Sequence, residues 1–542
     1  MNKARASMEH LYRVFTAPEG RESKLAQIEQ HLSANLADFL SRHVVASNTS
    51  LEDIEHHFAD FTVPEEPQFV SDHAEILLEK LVANSVNTYS PQFIGHMTSA
   101  LPYFHLPLAK LLVGLNQNLV KIETSKAFTP LERQVLGMIH QLVYGHNEHF
   151  YRAHLHSANY SLGAFCSGGT IANISALWVA RNQALPPKGS FRGVSQSGLH
   201  AALKHYGYED MVILTSKRGH YSLSKAADVL GLGRHNLITL PCPDQTLDPQ
   251  LALQKGLELQ QQGIKVLAIV GIAGTTETGH IDPLDELADV AQQLGCHFHV
   301  DAAWGGATLF SQKYRSLLKG IERADSVTLD AHKQMYVPMG AGMVLFKDAN
   351  ASNAVRHHAE YILREGSKDL GASTLEGSRN GMAMMLYASM HIFGRQGYQL
   401  LIDQSIEKAH YFADLISQQP DFELITKPTL CLLTYRVRPD FIKEVLSRFP
   451  DKRDEINQLL DNLTVAVQKR QREAGKSFVS RTRLATGKYH QQVVTVFRVV
   501  LANPLTTAEH LNDILHEQLH IARQTQSWTR LQNLANQLTT SV

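Results

Sequence analysis

The sequence predicts an α/β protein: a large domain built on a mostly parallel sheet, with a small C-terminal α+β domain. The main observation is a rhythm in the middle of the chain. Short apolar runs alternate with amphipathic stretches: DMVILTS then KAADVLGLG, VLAIVGIAG then PLDELADVAQQLG, HFHVDAA, SVTLDAH and AGMVLFK. Apolar runs of this length read as buried strands, and strands alternating with helices build βαβ units around a parallel sheet. The second observation is a change after about residue 395. There, long helical segments (QLLIDQSIEKAHYFADLISQ, RDEINQLLDNLTVAVQKRQREAG) flank short strands such as CLLTYRV and VVTVFRVVL. The third lies at the N-terminus, where KLAQIEQHLSANLADFL and HAEILLEKLVAN carry apolar residues at helical spacing. The predicted boundaries are an N-terminal helical segment 1–105, a large domain 106–395 and a small domain 396–542.

A chain of 542 residues exceeds what one core organises. Its 44% hydrophobic and 19% charged residues are ordinary for a globular enzyme. A formal net charge of −1 argues against electrostatic binding to nucleic acid or a membrane surface. Cys166, Cys242, Cys296 and Cys431 lie far apart and form no CxxC pair, so neither a disulfide framework nor a cysteine zinc site is expected. MNKARASMEHLYRVF lacks the apolar core of a signal peptide. No apolar run approaches the roughly 20 residues that span a bilayer. These features predict a soluble, cytoplasmic protein.

Ligands of open α/β sheets gather at the C-terminal ends of strands, and four clusters fall at such ends. In FCSGGTIANISALWVA, Gly168 and Gly169 precede a helix, so bare amides, the helix N-terminus and the Thr170 hydroxyl can hold an anion. A plain glycine turn is the blander reading. In SKRGHYSLSKAADVLGLG, His220 lies between strand and helix, where a histidine is more often structural. In HFHVDAAWGG, Asp301 ends a buried strand and needs a partner. A protonated ring nitrogen would serve, and so would a helix N-terminus as a cap. In LDAHKQMYVPMGAGMVLF, Lys333 follows a strand-like run beside His332. A lysine desolvated in a crevice offers a free amine that forms Schiff bases, whereas a surface lysine does nothing of the kind. Phosphate cradle, stacking histidine, ring-nitrogen acid and lysine together match the parts of pyridoxal 5′-phosphate.

At these motifs the sequence resembles the group II pyridoxal-phosphate amino-acid decarboxylases of the glutamate decarboxylase type. The matching pieces are SGGTIAN, HYSLSKAA, AGTTETGHIDPLDELADV, HVDAAWGGATLFS and DAHKQM, across about residues 90 to 400, with FRVVLANP beyond. Within that family it looks most like the bacterial pyridoxal-dependent aspartate 1-decarboxylase branch, which supplies β-alanine for pantothenate. The resemblance implies a fold of the aspartate-aminotransferase type and a homodimer with its active site at the interface. It implies that Lys333 carries the cofactor, that Gly169, Thr170 and His332 contact the phosphate, and that His220 stacks on the ring. It further implies that Asp301 bonds the pyridine nitrogen, Ala303 packs on the other ring face and Thr276 lies near the phenolic oxygen. Arg498 matches the arginine that holds the substrate α-carboxylate, and His96 sits where animal glutamate decarboxylases carry a glutamine near the substrate. Two departures stand out. The region Ala359 to Arg379 is shorter than the tyrosine-bearing loop of the animal enzymes, and its Tyr361 aligns elsewhere, so His220, Lys333 and the loop residues all remain candidate proton donors. Asp330 replaces the asparagine or serine of many members and must point away from the phosphate or be bridged.

A rival lies in HEQLH, where His516 and His520 at i, i+4 with Glu517 match the zinc metalloprotease pattern. No His, Asp or Glu follows His520 to complete a zinc site. The histidines of HNEHFYRAHLH invite a metal reading too, and read more simply as a helix end. An aminotransferase, lyase or aldolase would keep the fold, but the adjacent His-Lys after HVDAAWGG favours a decarboxylase. The expected substrate is acidic: aspartate first, then glutamate giving GABA, with cysteine sulfinate and aromatic amino acids behind.

Overall fold

A computed structural model of the protein describes residues 24–42, 44–357 and 366–540. By its internal contacts the chain divides into two compact units. One comprises Met1–Ala100, Val437–Arg481 and Leu505–Val542; the other, larger one comprises Leu101–Arg436 and Thr482–Pro504.

The larger unit is organised by a seven-stranded sheet. Its strands are β1 (Gly163–Cys166), β2 (Asp210–Ser216), β3 (Leu237–Leu240), β4 (Ile264–Ile272), β5 (His297–Asp301), β6 (Ser326–Asp330) and β7 (Gly342–Phe346), in the order β1-β7-β6-β5-β4-β2-β3. β3, β2, β4, β5 and β6 pair in parallel, and β7 runs antiparallel to both β6 and β1. The expected mostly parallel sheet is therefore present, with one reversed strand. Its interior strands are buried along nearly their whole length, which is why their sequences read as continuous apolar runs rather than alternating ones.

Four helices position the strand ends. They are α1 (Gly169–Ala184), α2 (Tyr221–Val229), α3 (Pro249–Gln261) and α4 (Leu284–Leu294). Helix α1 is buried on nearly every side and presents Ala172, Ala176 and Ala180 to its surroundings. These small side chains let it lie close to the sheet. Helix α3 starts at Asp248, whose carboxylate accepts from the Gln250 and Leu251 amides, with Pro249 in the first turn. Helix α4 buries Leu284, Leu287, Ala291 and Leu294 on one stripe and ends at Gly295, whose φ of 56° closes it. Further along, helix α5 (Ala383–Gln418) is broken at Gly394, where φ is 60°. Most of a second, four-stranded sheet also belongs to this unit: β8 (Phe422–Thr426), β9 (Leu432–Val437), β10 (Ser480–Ala485) and β11 (Val493–Val500), in the order β10-β11-β9-β8.

The smaller unit joins the N-terminal segment to the C-terminal helices. Helix Lys24–Ser41 falls where the periodicity predicts one, and Arg453–Ala474, Ala508–Arg523 and Gln526–Thr540 belong to the same unit. Phe93 stacks on Phe478 at 5.2 Å, and the Ile94 amide donates to the Phe478 carbonyl at 3.0 Å. Among the described residues no helix is long and apolar enough to cross a membrane.

Candidate active site

The predicted cofactor-site residues of the larger unit sit at the C-terminal ends of five strands of the seven-stranded sheet, as the crevice rule requires. After β1 comes Gly168–Gly169 at the N-terminus of α1. After β2 comes His220, and after β4 Thr276. Asp301 is the last residue of β5, and His332–Lys333 follow β6. Each side chain is therefore delivered by a rigid strand that its apolar sequence buries.

The glycines are needed for close approach. A Cβ on Gly169 would lie 2.8 Å from the Asp330 Oδ2 and 3.3 Å from the Ala303 Cβ; one on Gly168 would lie 3.3 Å from the His332 ring. The turn is thus a bare-backbone cradle at a helix N-terminus, the setting in which amides hold phosphate. His332 takes the Ala341 amide on Nδ1 at 3.3 Å, and burial moves its pKa below the ordinary histidine value. A neutral His332 then carries its proton on Nε2, ready to donate.

Lys333 is partly exposed, and its Nζ lies 3.0 Å from the Asp330 Oδ2. The Asp330 question therefore has an answer here: the carboxylate is bridged by Lys333. Asp330 is buried, and its Oδ1 has no hydrogen-bond partner among the described residues.

Asp301 is also buried. Its Oδ1 accepts the Ala303 amide at 3.1 Å and its Oδ2 accepts the Asn173 side-chain amide at 2.9 Å. His220 caps α2: Nδ1 accepts the Ser222 amide at 3.3 Å and pairs with the Ser222 hydroxyl at 2.9 Å. Burial lowers its pKa, and Asp301 opposes the shift. The neutral ring keeps its proton on Nε2.

Arg498 comes from β11, and its Nε donates to the Thr276 carbonyl at 2.8 Å. Desolvation lowers its pKa to about 10, against the attraction of Glu277. It stays cationic at neutral pH, and a guanidinium fork suits a carboxylate. The arrangement can therefore hold a phosphate, a protonated ring nitrogen, an aldehyde carbon and a carboxylate. That donor set fits pyridoxal phosphate with an amino acid.

Four other predicted features remain. His96 belongs to the smaller unit, exposed, with Nδ1 3.1 Å from the Thr98 hydroxyl. Tyr361 lies outside the described residues. In HEQLH, His516 and His520 are exposed, while Glu517 is turned to the Ser477 hydroxyl and to Gln471. Among the described residues no group of three or more His, Cys, Asp or Glu could hold a metal ion. In HNEHFYRAHLH, His146 stacks on Phe150 at 4.2 Å, and His154 packs tilted against the same ring at 4.4 Å.

Sequence reading missed Asn173, Ser222 and His299. The signal was faint: Asn173 is one of several polar residues in its helix, and His299 interrupts the strand HFHVD.

Comparison with known proteins gives the context. A family model described as the pyridoxal-dependent decarboxylase conserved domain matches residues 57–438. The chain is 61% identical over 523 residues to an aspartate 1-decarboxylase of Aliivibrio fischeri, covering 96% of this chain and 95% of that one. It is 27% identical over 465 residues to the cysteine sulfinic acid decarboxylase of Mus musculus, covering 83% of this chain and 87% of the relative. The crystal structure of mouse CSAD superposes with a TM-score of 0.81 at 24% identity, covering 93% of this chain and 100% of that one, which shows the shared fold.

Proposed function

We propose that this chain, which belongs to the pyridoxal-dependent decarboxylase family, converts L-aspartate and a proton to β-alanine and CO2. The observation that carries the substrate is the kinship with the Aliivibrio fischeri enzyme over nearly the whole chain. Loss of CO2 leaves an electron pair on Cα that water cannot stabilise, and bound pyridoxal phosphate supplies the electron sink.

The protein's own residues have assigned tasks in this reading. Gly169, Thr170 and His332 hold the phosphate. Lys333 would provide the amine that holds the cofactor through its aldehyde carbon, with loss of water. Asp301 accepts from the ring nitrogen and so keeps it protonated. His220 covers one ring face and Ala303 the other, while Thr276 lies beside the phenolic oxygen. Arg498 receives a substrate carboxylate, with His96 as a further substrate contact. A fixed guanidinium would limit how the substrate can turn and so set the orientation of the bond to be broken. His220, through Nε2, Lys333 and the residues of the 359–379 region are the candidates to return a proton to carbon.

The protein works, in this reading, as a cytoplasmic homodimer that supplies β-alanine for pantothenate. Support for the dimer comes from helix His105–Leu115, HLPLAKLLVGL, on which Leu106, Leu111, Val113 and Leu115 are exposed. An isolated unit gains nothing from exposing so many large apolar side chains together.

The test is a product assay on purified protein with added pyridoxal phosphate. Aspartate, glutamate, cysteine sulfinate, tyrosine and 2,4-diaminobutyrate are offered separately, and CO2 and amine are followed. β-Alanine should form with a kcat/KM well above that of any other product. Aspartate and glutamate differ by one methylene, worth about 1 to 3 kcal/mol in a pocket, so GABA as the dominant product would overturn the substrate while keeping the reaction. No amine from any of them would overturn the reaction too.

A further inference from the structure

A buried hydrogen-bonded chain runs away from Asp301, and its polarity can be read link by link. The Asn173 side chain sits at the junction. Its Nδ2 donates to the Asp301 Oδ2 at 2.9 Å and to the Ser222 Oγ at 2.9 Å, and its Oδ1 pairs with the His299 Nε2 at 3.0 Å. Turning the amide over would set its oxygen against a carboxylate, so the orientation is fixed by chemistry. His299 must then carry its proton on Nε2, where the Thr328 hydroxyl also lies at 3.5 Å. Its Nδ1 takes the Ser326 hydroxyl at 2.8 Å, and that hydroxyl oxygen pairs with the His297 Nε2 at 2.7 Å. The last ring nitrogen, the His297 Nδ1, lies 3.9 Å from the half-exposed Asp325.

Every donor from His297 to Asn173 therefore points toward Asp301. Asn173, Ser326 and His299 are all buried. Burial holds both histidines below the ordinary histidine pKa, His299 at about 4, so each ring is neutral with one defined tautomer. Hydrogen bonds aligned head to tail polarise one another, and a low-dielectric interior strengthens them. The branch through Ser222 has the same sense. The Ser222 hydroxyl accepts from Asn173 and donates to the His220 Nδ1, which leaves the His220 proton on Nε2.

We propose that Asn173 is a positioning residue which, with His299 and Ser326 behind it, holds Asp301 as an acceptor for the cofactor ring nitrogen. The inference rests on the assignment of Asp301 to the ring nitrogen made above. Outer partners that orient a site ligand commonly matter for activity although they touch nothing that reacts.

The experiment uses holoenzyme carrying [15N]pyridoxal phosphate and reads the ring-nitrogen chemical shift alongside kcat and KM. Asn173→Leu should move the ring-nitrogen signal toward the unprotonated position. It should also lower kcat about 10- to 100-fold, the range seen when an orienting partner is lost, and leave KM nearly unchanged. His299→Phe should do the same more weakly, and His299→Gln, which can still donate to Asn173, should restore both readouts. An unmoved ring-nitrogen signal in Asn173→Leu overturns the proposal, as does a His299→Gln no better than His299→Phe. If Asn173→Leu does not fold, the His299 pair and Ser326→Ala, which removes one hydroxyl from the chain, decide by the same signal. Asp301→Asn separates the two levels: if it leaves the signal unmoved, the assignment of Asp301 fails. If it moves the signal and Asn173→Leu does not, only the role of Asn173 fails.

Discussion

Lys333 and Asp330 face each other at 3.0 Å, three residues apart, at the end of a buried strand. Sequence reading placed the lysine in the crevice but could not say what its neighbouring carboxylate does. The answer needed the turn over 331–335, which brings the Nζ back over its own strand. Lys333→Ala should abolish turnover, and borohydride should fix the cofactor covalently to the parent and not to the variant, as read by mass spectrometry. Turnover by the variant without an added amine would refute the assignment. Lys408 makes a second case at this scale. It is largely buried, its Nζ donates to the Asn503 carbonyl at 2.6 Å just beyond β11, and burial lowers its pKa from 10.5 to about 8. Between those values the unfolded chain binds the proton that the folded chain has released, so stability rises with pH across that window. Denaturant titrations from pH 8 to 10.5 should show the parent gaining stability relative to Lys408→Met. A constant difference would contradict the buried-amine account.

The elements show how much local pattern settles. The strands at β2, β4, β5, β6 and β7 and the helices at α2 and α4 fall on stretches the apolar rhythm marks out. β1 and β3, four residues each, escaped because so short a run carries no period. The reversal of β7 was equally invisible, since a buried strand looks the same in either direction. That reversal matters to the cradle, because β7 pairs with β1 on one side and β6 on the other, with Gly342 opposite both Cys166 and Asp330. A Cβ on Gly342 would lie 2.6 Å from the Gly168 backbone and 2.7 Å from the Asp330 Oδ1. Backbone cannot move aside as a flexible side chain does. Gly342→Ala should therefore cost about 1 to 3 kcal/mol of stability, as overpacking does, and weaken cofactor binding. Thermal unfolding of the apoprotein together with cofactor titration tests this, and an unchanged cofactor affinity would count against the cradle.

For the whole molecule, the helix at 105–115 is the element without a local explanation. Its outward face carries Leu111 and Val113, both more than half exposed. If that face covers a second copy, Leu111→Glu with Val113→Glu should give a monomer by light scattering. Activity should fall with it, since the proposed active site is shared between protomers. A variant that stays dimeric would move the interface elsewhere.

The sequence by itself determined the α/β class and the cofactor chemistry, and it singled out Lys333, Asp301 and His220 as candidate site residues. Each depends on a local motif: a strand of the right length, a glycine turn, a residue placed at a strand end. Tertiary structure alone decided what stands behind them. Asn173 lies 128 residues from Asp301 and 126 from His299 in the chain, yet bonds both. No periodicity reports such a pair, because its geometry is set by how the helix and strands pack.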